Sequence, residues 1–161
     1  MMTPRLIYYL FLIAPAFAQQ SEFATGRSSY QAGEFKVAVK HFKRALEADP
    51  GNAETTYWLG RSYETLADIA VPFGGRYHSL ARTYLTKAAE LAPYRLDYRR
   101  ELFDFLVDSG EQRRSLKILL TSTETDPDYD YLRSSFAAAG KRNASVYGRL
   151  GKFVQVFTGS R

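Results

Sequence analysis

The feature that most restricts the fold is a spacing that recurs before three prolines. Pro93 and Pro127 are 34 residues apart, and Pro50 and Pro93 are 43 apart, which is 34 plus an insertion of nine. A small, a large and a small residue stand twelve, eight and five positions before each proline. These residues are Ala38, Phe42 and Ala45; Ala81, Leu85 and Ala88; and Ser115, Leu119 and Ser122. A pattern that returns three times in register indicates a repeat protein.

The recurring pattern predicts pairs of helices. A small residue lets two helix backbones approach closely, and a large residue beside it fills the remaining space. Because proline cannot continue a helix, each pattern is expected to be the second helix of a hairpin. The preceding helices carry Gly26 and Tyr30; Leu59, Gly60 and Tyr63; and Leu102, Phe103 and Leu106, and glycines 33, 74, 75 and 110 stand between paired helices.

Over residues 19–129, the pattern resembles the tetratricopeptide repeat family. The matching residues are Gly26, Gly33, Ala38, Phe42, Ala45 and Pro50 in the first repeat, and Leu59, Gly60, Tyr63, Ala81, Leu85, Ala88 and Pro93 in the second. In the third repeat, Phe103 replaces the usual small residue, and Ser115 and Ser122 replace alanines. We therefore expect the third repeat to pack most loosely.

The resemblance implies an all-α fold, a right-handed α-solenoid of three hairpins with a C-terminal capping helix pair. The hairpins would span residues 19–52, 53–95 with the inserted loop, and 96–129. Each has too little core to stand alone, so neighbouring hairpins are expected to stack. Residues 130–161 would form the cap and a basic tail.

The cap is predicted to begin with a helix from Asp130 to Ala139, with Asp130 as its N-cap and Gly140 as its stop. A second, amphipathic helix would follow, although residues 153–157 are also compatible with a strand. Its apolar face would consist of Val146, Leu150, Phe153, Val154 and Phe157.

The N-terminal residues have the features of a signal peptide. Arg5 precedes an apolar run from Leu6 to Ile13, and Ala16 and Ala18 present small residues where a signal peptidase reads. We expect residues 1–18 to be removed and the protein to be periplasmic or secreted, the alternative being an uncleaved membrane anchor. The chain has no cysteine, which excludes both a lipoprotein anchor at the cleavage point and disulfides.

The positive charge is concentrated at the C-terminal end. Residues 19–140 carry 16 Lys and Arg against 17 Asp and Glu, whereas residues 141–161 carry five basic residues and no acid. The nearly neutral repeats argue against a nucleic-acid-binding surface. The basic tail leaves open a contact with an acidic membrane surface.

No arrangement of residues predicts catalysis, a metal or a cofactor. His41 and His78 lack helical spacing to each other and have no carboxylate close in sequence, so we interpret both as structural. The acidic residues Asp97, Glu101, Asp104 and Asp108 lie on one helical face, which we interpret as solvated, with Arg100 and Arg133 as pairing partners. The segment 126–130 lacks the glycine and the last glutamate of a calcium loop and is interpreted as a turn with helix caps.

The resemblance implies that the first helices line a concave binding face. The candidate partner-binding residues are Phe23, Arg27, Tyr30, Tyr57, Arg61, Glu64, Arg100, Asp104 and Tyr131. Arginine and tyrosine are frequent at binding hot spots, and arginine can receive a carboxylate in bidentate geometry.

The insertion near residues 68–77 contains Ile69, Val71 and Phe73, which are apolar residues in a predicted loop. The loop is expected to fold back onto its own repeats, and the alternative is that Phe73 forms a wall of the binding groove. The sequence thus predicts a non-enzymatic scaffold for a protein or peptide partner. The alternative function is a peripheral envelope protein that contacts a membrane through its tail.

Overall fold

A computed structural model of the chain describes residues 20–123 and 125–142. These residues form seven helices and no strand, which confirms the expected all-α class. Helix α1 is described over residues 20–31. It is followed by α2 (Phe35–Ala48), α3 (Ala53–Ile69), α4 (Gly75–Leu91), α5 (Leu96–Asp108), α6 (Gln112–Thr121) and α7 (Tyr129–Arg142). The predicted signal peptide and the second cap helix lie outside the described residues.

The chain divides into two compact units. The first contains α1 to α4, and the second begins at Tyr94 and contains α5 to α7. Among the described helices, none is long and apolar enough to cross a membrane. The stacking of all hairpins into a right-handed solenoid stays a prediction.

The turns after α1 and α5 share one hydrogen-bonding pattern. Gly33 and Gly110 adopt positive φ angles of 79° and 74°. Each glycine N–H donates to the carbonyl three residues earlier, at 3.0 and 3.1 Å, and the next residue donates to the carbonyl five residues before it, at 2.8 Å in both turns. This is the Schellman ending of a helix, which favours glycine because other residues are strained at positive φ.

In the first unit, the small and large residues pack as the repeat predicts. Ala38, Phe42 and Ala45 on α2 are fully buried, as are Ala81, Leu85 and Ala88 on α4. A Cβ added at Gly26 would lie 2.7 Å from the Phe42 ring, and one added at Gly60 would lie 3.0 Å from the Leu85 side chain. The glycine of each first helix therefore makes room for the large residue of the second.

In the second unit, a large residue, Phe103, stands at the repeat position that glycine occupies in the first two hairpins. Phe103 is fully buried on α5, and its ring lies 6.4 Å from that of Phe136 on α7. The core that forms around this pair contains Val107, Leu119, Leu132 and Ala139. Ser115 is also buried, and its hydroxyl donates to the Gln112 carbonyl at 3.1 Å, so its polar group is satisfied.

Two helix boundaries differ from those expected. Helix α6 ends at Thr121, six residues before Pro127, whereas α2 and α4 end two residues before their prolines. Helix α7 begins at Tyr129 and continues through Gly140 to Arg142. Asp130 therefore lies in the first turn rather than at the N-cap, and Gly140 does not stop the helix, because a glycine is tolerated inside a helix at a cost of about 1 kcal/mol.

The insertion is used mostly to lengthen two helices. Relative to the repeat, α3 runs four residues beyond the end of α1, and α4 begins three residues before the start of α2. The connecting loop, residues 70–74, is only two residues longer than the turn at 32–34. Gly74 does not adopt a positive φ, and a Cβ there would instead overlap the carbonyl oxygen of Ala67.

Replacing Gly74 by alanine is expected to destabilise the protein by about 1–3 kcal/mol, because a Cβ cannot be placed without moving the backbone of α3. Gly75 is the matched control, since a Cβ there meets no atom within 4 Å. Alanine at Gly75 should stabilise α4 by up to about 1 kcal/mol through its helix propensity. The measurement is urea unfolding of both variants, and equal effects of the two substitutions would contradict the packing described.

Candidate partner-binding site

Helices α1 and α3 bring four of their side chains together around Trp58. The guanidinium carbon of Arg27 lies 3.9 Å from the centre of the Trp58 ring. Tyr30 and Tyr57 meet Trp58 edge-on, with ring centres at 5.2 and 5.6 Å. We refer to Arg27, Tyr30, Tyr57 and Trp58 as the aromatic face. All four are partly exposed, so the cluster reaches the surface of the first unit.

Helical spacing explains why these residues share a face. Arg27 and Tyr30 are three apart on α1, and Trp58, Arg61 and Thr65 follow at intervals of three and four on α3. Across the two helices, the hydroxyls of Tyr30 and Thr65 lie 3.4 Å apart. Trp58 is the functional candidate that the sequence reasoning missed. The signals available were that it is the single tryptophan of the chain and that it precedes Arg61 by three residues.

The charges around the aromatic face are partly paired. Arg27 lies 3.6 Å from Glu54, and both side chains are substantially exposed. Its Nε atom is buried and has no hydrogen-bond acceptor among the described residues. Arg61 donates to Glu64 at 3.1 Å, one turn further along α3. Stacking on Trp58 thus holds Arg27, while its hydrogen-bonding capacity is incompletely used.

Two predicted site residues lie apart from the aromatic face. The ring of Phe23 lies 5.9 Å from that of Phe42, so it takes part in the packing of α1 on α2. Phe73 lies in the loop between α3 and α4 and is 88% exposed. The expectation that this loop folds onto its own repeats is wrong, since Ile69 and Val71 are also mostly exposed.

In the second unit, the three candidate residues Arg100, Asp104 and Tyr131 are close together. The Arg100 guanidinium lies 4.9 Å from the centre of the Tyr131 ring. The Tyr131 hydroxyl donates to Asp104, which also accepts a bond of 2.8 Å from Ser135. Hydrogen bonding to Asp104 raises the pKa of Tyr131 to about 12. Asp104 was expected on a solvated acidic face, but α7 partly covers it and supplies these partners.

Asp128 pairs with two arginines of α5 in this unit. It is fully buried and accepts bonds from Arg99 at 3.1 Å and from Arg100 at 2.6 Å. Arg99 also forms a bidentate pair with Asp126, which raises the pKa of Arg99 and lowers that of Asp126. Arg100 was predicted to pair with the acidic face of its own helix. It instead holds the turn before α7, because that turn places a buried carboxylate beside it.

His41 also has a partner that its sequence neighbours do not reveal. Its Nδ1 lies 2.6 Å from a carboxylate oxygen of Glu22 on α1. Glu22 also lies 3.7 Å from Arg44, one turn along α2. Glu22 is 19 residues from His41 in the sequence, so this pairing arises from tertiary packing and does not contradict the absence of a carboxylate close in sequence. The contact joins α1 to α2, which agrees with a structural role for this histidine.

Comparisons with known proteins add no family to this description. No protein-family model matches the chain, and no curated protein matches it in sequence.

Proposed function

We propose that this protein is a non-enzymatic scaffold of the tetratricopeptide type, exported to the periplasm or the cell exterior, which binds a protein or peptide through the aromatic face. The observation that carries the proposal is Arg27 stacked on Trp58 beside Tyr30 at the surface of the first unit. Tryptophan, tyrosine and arginine are the residues most enriched at binding hot spots.

The repeat assignment has two supporting observations beyond the sequence pattern. The pairs Gly26–Phe42 and Gly60–Leu85 recur in consecutive hairpins. The same turn follows α1 and α5 at matching positions, Gly33 and Gly110. Such recurrence of packing and turn geometry is typical of proteins built from one repeated hairpin.

The chemistry of the aromatic face favours a partner that presents a carboxylate or carbonyl next to an apolar side chain. The exposed pair between Arg27 and Glu54 is worth only about 0–1 kcal/mol, so a partner's carboxylate could replace Glu54 at little cost. The flat rings of Tyr30 and Trp58 would cover the neighbouring apolar group. Tyr57 extends the same surface along α3.

Binding is tested by first identifying a partner on the immobilised chain from an envelope extract and then titrating the purified partner by calorimetry. Trp58→Ala and Arg27→Ala are each expected to raise its Kd by about tenfold or more. Arg27→Lys should also weaken binding, since lysine keeps the charge but loses the planar stacking group.

Arg113→Ala is the control for the removal of an exposed arginine elsewhere, and thermal melting verifies that each variant is folded. Arg100 is left unchanged because its bond to Asp128 makes its loss a stability defect. An affinity that is the same for all variants would exclude the aromatic face as the binding site.

The alternative is a peripheral envelope protein whose basic residues 141–161 contact an acidic membrane surface. Its support is the charge distribution alone, with five basic residues and no acid in this segment. The tail residues Phe153 and Phe157 lie outside the described residues. Neutralising Arg149 and Lys152 should abolish vesicle binding if this alternative is correct.

A further inference from the structure

The loop between α3 and α4 projects beyond its neighbour in the first unit. Arg27 contacts α3 at Glu54 and Trp58, and Tyr30 contacts it at Trp58 and Thr65, so α1 and α3 run in the same direction. The loop at 70–74 and the turn at 32–34 therefore lie at the same end of the unit. The extra helical residues of α3 and α4 raise the loop by about 4–6 Å, at 1.5 Å per residue.

This projection agrees with the high exposure of the loop's apolar side chains in the described part of the chain. Ile69 is 66% exposed, Val71 is 75% exposed and Phe73 is 88% exposed. Pro72 between them is exposed as well. We refer to Ile69, Val71, Pro72 and Phe73 as the apolar tip. Exposed apolar side chains grouped in one short loop are a feature of sites where a protein meets another surface.

Positive charge lies beside the apolar tip. Arg76 is exposed in the first turn of α4. Its positive charge lies close enough to Lys43 on α2 to repel it and to act to lower the pKa of Lys43. Hydrogen bonding to Tyr63 nevertheless raises the pKa of Lys43. Neither cation has a carboxylate partner among the described residues.

Two further lysines extend this charge along α2. Lys36 and Lys40 precede Lys43 at spacings of four and three, which places all three on one helical face, and all are exposed. We refer to Lys36, Lys40 and Lys43 as the basic stripe. Three exposed acids lie near these cations: Glu34 just before α2, Glu47 one turn beyond Lys43 on the same face, and Asp68 next to the tip. They stand against the four positive charges of the stripe and Arg76, and among the described residues none of them forms an ion pair with these cations.

We propose that the apolar tip inserts into the interfacial region of an anionic phospholipid bilayer, with Arg76 and the basic stripe against the lipid headgroups. The projection of the tip is comparable to the depth of about 5–10 Å at which interfacial apolar groups are buried. A convex tip suits fluid lipid, which adapts to it, whereas a protein partner would need a matching pocket. The inference goes beyond the proposed function, because the tip and the aromatic face share no residue.

The first test is sedimentation of the full chain with vesicles. The protein is purified in the form that its host produces, and mass spectrometry identifies its N-terminal residue. Vesicles containing phosphatidylglycerol should bind it, and phosphatidylcholine alone should bind it weakly. Val71→Asp combined with Phe73→Asp is expected to lower binding by about tenfold or more. Lys43→Gln and Arg76→Gln should each lower it by about fivefold at low salt.

Tyr94→Asp is the matched control, because Tyr94 is 80% exposed but lies outside the tip. It should leave vesicle binding unchanged. The second measurement uses the absence of native cysteine, so that Phe73→Cys carries a single environment-sensitive fluorophore. Its emission should shift to the blue on anionic vesicles, while the same probe at Tyr94→Cys should not respond.

Three outcomes would overturn the proposal. The chain could fail to bind anionic vesicles at all. It could bind them with the Phe73 probe still in water and lose binding only in Arg149→Gln/Lys152→Gln, which would assign the contact to the tail. The tip variants could instead retain vesicle binding and lose a protein partner, which would make Phe73 a wall of the partner site. Trp58→Ala tests the proposed function separately, because it should leave vesicle binding unchanged.

Discussion

Replacing Asp128 by alanine is expected to destabilise the second unit by about 3 kcal/mol, the lower end of the range for breaking a buried ion pair. The carboxylate is fully buried and holds Arg99 and Arg100 against the turn before α7. The two arginines remain partly exposed, so water can solvate them once the carboxylate is gone. Hydrogen exchange of residues 94–142 measured by mass spectrometry would locate the loss, and urea unfolding would give its size.

Two further variants serve as a control and a comparison for this prediction. Asp130→Ala removes an exposed acid two residues away and should change the stability by no more than about 0.5 kcal/mol. Arg99→Ala combined with Arg100→Ala should cost more than Asp128→Ala, because it leaves a buried carboxylate without cations. If Asp128→Ala and Asp130→Ala have the same effect, the buried ion pair does not stabilise α7.

Replacing Phe42 by alanine is expected to cost about 3–5 kcal/mol in the first unit, the range for truncating a buried phenylalanine. The ring is fully buried, packs on Phe23 and lies directly over Gly26, which has no side chain to fill the space. Thermal and urea unfolding followed by circular dichroism measure the effect. Phe73→Ala is the matched control, and because its ring is 88% exposed it should be nearly neutral.

A double-mutant cycle tests whether Gly26 and Phe42 act as a pair. Gly26→Ala should be clearly destabilising in the parent chain, since the new Cβ would meet the Phe42 ring at 2.7 Å. In the Phe42→Ala background the same change should cost much less, because the ring is absent. Additive effects would show that the small and large residues are not coupled.

The features that repeat along the sequence could be predicted from the sequence. The small and large residues before Pro50 and Pro93 lie where their spacing placed them, and Gly33 and Gly110 form the expected turns. Both depend on local geometry, since helical faces repeat every three to four residues and positive φ favours glycine. A pattern confined to a few neighbouring residues can therefore be read without knowing what lies opposite.

The candidate sites depend on residues that are distant in sequence, and these were only partly foreseen. Arg27 could be placed on an exposed helical face, but its stacking on Trp58 depends on how α1 lies against α3. The same holds for His41 and Glu22, which belong to different helices. No local spacing rule connects such residues, since their distance is set by the packing of whole helices.

The amino-acid sequence alone was sufficient for the helical class and for the small and large residues that fill the core of the first unit, because the spacing and size of these residues determine which face of a helix is buried. The tertiary structure decided the use of polar groups and of the insertion. Asp128 could be an exposed cap or a buried partner of Arg99, and only the position of α7 buries it. Phe73 could be covered or exposed, and the residues added to α3 and α4 move its loop outward, where its ring is 88% exposed.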